Sequence, residues 1–138
     1  METMVEFILV KEDFPIDEVY EKIGIAGGTK ESLEKKIFGT LLGENYDRAK
    51  ECSITYSTGY FETIDVETPI KKIYTMLFPV KKQIIECIKT YELQPKFCIV
   101  INLTGNPIIN LPNEFINLAA EFSADIEFDT YLDNNEVK

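Results

Sequence analysis

Several segments of the chain have side chains arranged with the period of two that predicts β-strands. In residues 4–10 apolar side chains stand on both faces of such a strand, so cover at least partly on both sides is expected. Residues 52–60 alternate Cys, Ile and Tyr with Ser and Thr, which predicts a strand with one side facing water. The nearly continuous apolar run over residues 97–103 is typical of a central strand.

A spacing of three to four residues between apolar positions predicts helices in three other segments. These segments are residues 15–24, which end on a glycine, residues 65–91 and residues 112–124. Because proline lacks a backbone N–H, Pro79 should divide the second segment into two helical pieces. Glycines interrupt a weak pattern in residues 26–50, and no element is predicted there.

The clearest alternation lies in residues 125–132, which predict a strand with two unlike faces. We expect Ile126, Phe128 and Leu132 to point into the core. The side chains expected on the opposite, solvent-facing side are Asp125, Glu127, Asp129 and Tyr131. The three carboxylates would be about 6.5 to 7 Å apart along the strand, which makes this face locally negative.

The order of these elements predicts the fold class. Strands that alternate with helices over 138 residues indicate a single α+β domain with no internal boundary. We expect a two-layer sandwich, in which helices pack mainly on one face of a mixed sheet of four to five strands.

Composition removes several kinds of chemistry. The chain has no histidine, which excludes catalytic sites that depend on a histidine base. Cys52, Cys87 and Cys98 are widely spaced without a Cys-x-x-Cys motif, so neither a zinc site nor a disulfide scaffold is predicted. Two of these cysteines stand in apolar runs, which favours buried, reduced thiols in a cytosolic protein. No cofactor is expected.

Charge disfavours further classes of partner. The net charge of −10 and the pI near 4.5 argue against binding to nucleic acid or to an anionic membrane. The Gly27-Gly28 pair lacks the spacing of a phosphate-binding loop, and Arg48 is the only arginine. The chain begins without a basic leader and has no apolar run of transmembrane length, so we expect a cytoplasmic protein.

Positive charge is concentrated in the long helical segment. Residues 69–98 hold six lysines against two acidic residues, whereas the segments on either side are acidic. We expect these lysines to form the solvent face of the helices or to pair with acidic neighbours. The lysines of the helical segment are Lys71, Lys72, Lys81, Lys82 and Lys89.

The order of elements in the second half of the chain resembles a bacterial family of unknown function, number 4279. The residues that carry this resemblance are 58–60, Asp65 with the helix that runs to Pro79, and the segments 82–91, 96–103, 111–115 and 124–129. The resemblance covers roughly residues 4–132. It implies an α+β domain of about this length without an agreed set of catalytic residues.

Three functions are compatible with these patterns. The favoured one is a non-enzymatic protein-binding domain, similar to an immunity or inhibitor protein, that docks a basic partner through Asp125, Glu127, Asp129 and Tyr131. A carboxylate-based hydrolase, with Mg²⁺ as a further option, would need carboxylates gathered in a pocket. A homo-oligomer would use an exposed sheet face or edge.

Overall fold

The computed structural model describes residues 1–37 and 47–132, and for residues 33–37 and 47–50 it describes the backbone alone. The elements in chain order are β1 (Glu2–Lys11), α1 (Ile16–Ile23), β2 (Thr29–Ile37), β3 (Asp47–Ser57), β4 (Phe61–Glu62), α2 (Glu67–Leu77), a 3₁₀ turn (Phe78–Val80), α3 (Lys81–Tyr91), β5 (Gln94–Leu103), α4 (Asn113–Phe122) and β6 (Asp125–Leu132). No helix in these ranges has the length and apolar character needed to cross a membrane.

The strands form one mixed sheet in the order β2-β3-β1-β5-β6. All neighbours are antiparallel except β5 and β6, which are parallel because α4 connects them as a crossover. The short β4 pairs with the first residues of β1, beyond the end of its pairing with β3. Among the described strands, β6 forms one edge of the sheet.

One face of the sheet is covered by helices and carries the core. Val5, Phe7 and Leu9 of β1 are fully buried on this face, together with Phe97 and Ile99 of β5. Every helix contributes buried apolar residues to the same core cluster. The expected α+β fold, with helices on one face of a mixed sheet, is therefore confirmed.

The helix boundaries follow the predicted signals. Gly24 ends α1 in the left-handed conformation with φ of 79°, which costs glycine little. Pro79 lies in the 3₁₀ turn that separates α2 from α3, as its missing N–H predicts. Pro112 precedes α4, and Ser123 ends it in the left-handed conformation.

The expectation for the inner side of β6 is wrong in part. Ile126 is half-buried against the core, but Phe128 is 45% exposed and Leu132 is 77% exposed. The physical reason is the position of β6 at the edge of the sheet, where α4 crosses back towards the strand's first residues. An alternating pattern predicts which side chains share a face, but it does not show how far a helix covers that face.

The weak pattern in residues 26–50 contains β2, which was not predicted, and the beginning of β3. Residues 38–46 of this segment lie outside the described part of the chain. The alternate residues Met4, Ile8 and Val10 of β1 are half-buried, which agrees with the expected partial cover of this side, but they do not belong to the core cluster. We call this second side of the sheet the open face.

Candidate functional site

The open face is the surface formed by the even-numbered residues of β1 and β5 and by the residues that pair with them. Strand register shows which residues belong to this face, because residues directly opposite each other in neighbouring strands point to the same side. Ser57, Glu6, Cys98 and Glu127 form one row across four strands. The described carboxylates on its five main strands are Glu2, Glu6, Glu31, Glu51, Asp125, Glu127 and Asp129.

The predicted acidic row lies on this face. Asp125 and Glu127 are exposed, while Asp129 is half-buried. Tyr131, which is 52% exposed, donates a hydrogen bond from its hydroxyl to Oδ2 of Asp129 at 2.8 Å. That bond to Asp129 raises the pKa of the Tyr131 hydroxyl. The structure therefore brings the four residues together as one surface, and their role in binding stays a prediction.

Lys96 is the one basic side chain that the described residues place on the open face. Its Nζ lies 3.4 Å from Oε2 of Glu127, and both side chains are well exposed. An ion pair in such a setting contributes little free energy, because water and salt screen both charges. Lys96 therefore offsets part of the charge of Glu127 and leaves the row as a whole negative.

The pKa values of two groups on the open face reflect this concentration of negative charge. Burial, together with the nearby Asp129 carboxylate, raises the pKa of Glu6 above its usual value of 4.5. Burial also raises the pKa of the Cys98 thiol, and Asp129, Glu6 and Glu127 raise it further, while Lys96 lowers it. Of the two cysteines in apolar runs that were expected to be buried, Cys87 is buried but Cys98 is only half-buried, because it faces the open side of β5. Cys52 is buried as well, and all three thiols are free.

Sequence reasoning missed Glu6, Glu51 and Lys96 as members of this surface. A usable signal was present, since Glu6 stands in the middle of an apolar strand and a carboxylate there needs access to water. The open side of β3 was predicted correctly, because its hydroxyl residues Ser53 and Thr55 lie on this face.

A shallow cavity of about 240 Å³ lies on the open face near the start of β6. Its charged lining consists of Glu51, Asp125, Glu127 and Lys96. Within residues 1–37 and 47–132, no three His, Cys, Asp or Glu side chains come close enough together to hold a metal ion. The arrangement suits attraction of a cationic surface over a wide area.

The helix side has a different electrostatic character, because two of its lysines pair with carboxylates. Lys71 pairs with Glu67 at 3.3 Å, and Lys81 pairs with Glu121 at 2.9 Å. Lys72 instead donates a hydrogen bond to the backbone oxygen of Thr58 at 2.9 Å. The expected pairing with acidic neighbours is thus found for Lys71 and Lys81.

Comparison with protein families gives one match. The family model described as "Domain of unknown function (DUF4279)" matches residues 1–133. No curated protein matches the chain.

Proposed function

The chain belongs to the DUF4279 family, and we propose that it is a cytoplasmic, non-enzymatic domain that docks a basic protein partner, in the manner of an immunity or inhibitor protein. The observation that carries this proposal is the open face, on which carboxylates from four strands share the surface with Lys96, the one lysine there whose side chain the structure describes. The helix side supplies the core, so the open face is free to serve recognition.

A negative surface of this kind acts mainly on the rate and specificity of association. Complementary charge speeds the encounter of two proteins, and it disfavours acidic partners through repulsion. The apolar residues Met4, Ile8 and Val10 lie among the carboxylates on the same face and are only half-buried. Desolvation of such residues, surrounded by a charged rim, is the usual source of affinity in protein interfaces.

One observation favours the hydrolase alternative. Burial and the nearby Asp129 carboxylate raise the pKa of Glu6, and a carboxyl group of raised pKa can act as a general acid. The cavity of about 240 Å³ is nevertheless below the roughly 300 to 1,000 Å³ of most small-molecule sites. A neighbouring cavity of about 410 Å³ shares Glu51 with it, but neither cavity is lined by Glu6 or Asp129. Docking of a protein therefore fits the geometry better.

The test compares two triple variants of equal charge. The first carries Asp125→Asn, Glu127→Gln and Asp129→Asn on the open face, and the second carries Glu21→Gln, Glu86→Gln and Glu114→Gln on the helix side. Each variant and the unmodified chain are immobilised, and the proteins that they retain from a bacterial lysate are identified by mass spectrometry. The binding of each purified partner is then measured at low and high salt.

We expect the unmodified chain to retain a basic protein with an association rate that falls steeply as salt is added. The open-face variant should lose this partner, and the helix-side variant should keep it. If both variants retain the partner equally, or if the partner has no excess positive charge, the acidic row does not bind the partner and the proposal is wrong.

A further inference from the structure

The outer edge of β6 presents hydrogen-bonding groups that have no strand beside them in the described part of the chain. β6 pairs only with β5, in parallel register from Asp125 to Leu132. In an edge strand, alternate residues direct their N–H and C=O groups away from the sheet, where another strand can bind them. Eight residues of this edge are in extended conformation.

The side chains of β6 give this edge two faces of different chemistry. The open face carries the carboxylates of Asp125, Glu127 and Asp129. The helix side carries Phe128 and Leu132, which are far more exposed than the other apolar residues of the core face. The strand therefore alternates negative and apolar groups, and both sets are accessible.

A second copy of the chain does not fit this edge. Two β6 strands related by a two-fold axis through Phe128 would place Glu127 directly opposite Asp129 of the other copy. An axis at any position from Asp125 to Asp129 pairs residues of the same face, so at least one carboxylate would lie about 5 Å from a carboxylate of the other copy. Like charges at that distance are destabilising, and the homo-oligomeric alternative is therefore disfavoured at this edge.

We propose that β6 binds an extended segment of a basic partner, which adds to the sheet as a further strand. The segment carries Lys or Arg at alternate positions, opposite Asp125, Glu127 and Asp129. The apolar residues between them lie against Phe128 and Leu132. Backbone hydrogen bonds provide affinity in strand addition, and the alternating side chains provide specificity. This inference rests on the proposed function and narrows the partner to one with such a segment.

The probes are two synthetic peptides of the same composition, each eight residues long to match β6. One alternates Lys and Val, and the other carries its lysines in one block and its valines in another. Both are capped, labelled with a fluorophore and titrated into the full chain, and binding is measured by fluorescence anisotropy at physiological salt. Hydrogen exchange of the β6 amides is followed by NMR in parallel.

We expect the alternating peptide to bind at least about tenfold more tightly than the block peptide. It should also slow hydrogen exchange at alternate amides of β6, because these N–H groups then donate to the peptide backbone. The double variant Phe128→Ser and Leu132→Ser should lower the affinity for the alternating peptide and leave that for the block peptide unchanged. The matched control is Ile64→Ser and Ile109→Ser, which replaces two similarly exposed apolar residues outside β6 and should change nothing.

The open-face triple variant separates this inference from the proposed function. If this variant lowers the affinity for both peptides equally, and the peptides leave hydrogen exchange of the β6 amides unchanged, docking to the acidic surface is supported and strand addition is wrong. If its affinity for both peptides equals that of the helix-side triple variant, the proposed function is wrong as well.

Discussion

The two faces of the sheet differ although the same strands build both. In β1 the buried Phe7 stands between Glu6 and Ile8, which point to the opposite, open face and are only half-buried. The helices of residues 1–37 and 47–132 cover the first face and not the second, so burial of apolar area in this part of the chain is concentrated on one side. Alternate residues of one strand therefore belong either to the core or to the open surface, and each set can be changed with little effect on the other.

Aromatic rings pack together at the centre of the covered face. The ring centroid of Phe97 lies 4.8 Å from that of Phe7, 4.8 Å from that of Phe115 and 6.4 Å from that of Phe122. These rings join β1, β5 and α4 through dispersion and edge contacts. Among the side chains that the structure describes, the open face has no comparable cluster, and its central apolar residues are separated by charged ones.

The largest effect that we expect comes from Phe97→Ala on the covered face. Loss of the ring leaves a cavity among three other aromatic side chains, which should lower the free energy of unfolding by about 3 to 5 kcal/mol. The matched change on the open face, Ile8→Ala, should cost about 1 to 1.5 kcal/mol, because Ile8 is half-buried. Urea unfolding measures both, and equal losses would contradict the contrast between the faces.

A smaller loss is expected from Gly28→Ala, where the backbone approaches two aromatic rings of the covered side. A Cβ atom at Gly28 would lie 2.7 Å from Cε1 of Tyr56 and 2.9 Å from Cε1 of Tyr20. Overpacking of this kind should lower the free energy of unfolding by about 1 to 3 kcal/mol. Gly105→Ala is the control, since a Cβ there meets no atom within 4 Å. A stable Gly28→Ala protein would show that Tyr20 and Tyr56 can move apart.

Sequence patterns predicted the helices and the faces of the strands well, because both follow from local rules. Pro79 breaks the long helix for a reason that belongs to proline itself, and β6 has the predicted bounds. The extent of helix cover could not be predicted in the same way, because it depends on where α4 crosses the sheet. For that reason the exposure of Phe128 was missed. Glu6 was missed for another reason, since its nearness to the acidic row depends on the strand order β1-β5-β6, which the pattern of one strand does not give.

Cysteine labelling offers a direct comparison of the two faces. Cys98 is half-buried on the open face, whereas Cys52 and Cys87 are buried on the covered face. A thiol reagent should modify Cys98 on the order of tenfold faster than the other two, which become accessible through unfolding. The rate at Cys98 should rise with pH above neutrality, because burial and nearby carboxylates raise its pKa and the thiolate is the reactive form. Mass spectrometry of the labelled peptides gives the rates, and Cys98→Ser supplies the control.

Equal labelling of the three cysteines in the folded protein would contradict the covered position of Cys52 and Cys87. Protection of Cys98 together with the other two would instead show that the open face is occluded in solution.

The smallest effect that we expect concerns the charge of Glu6. Its pKa is raised in the folded state, so the folded protein binds more protons than the unfolded chain between pH 4.5 and that raised pKa. Stability should therefore fall as pH rises through this window, and the ionised carboxylate should destabilise the fold at neutral pH. Glu6→Gln removes this penalty and should raise the free energy of unfolding at pH 7 by no more than about 0.5 kcal/mol. The difference should vanish below pH 4.5, where Glu6 is protonated in both states. Urea unfolding of both proteins across this pH range measures it, and a Gln variant that is less stable at pH 7 would show that the Glu6 carboxylate is favourably bound.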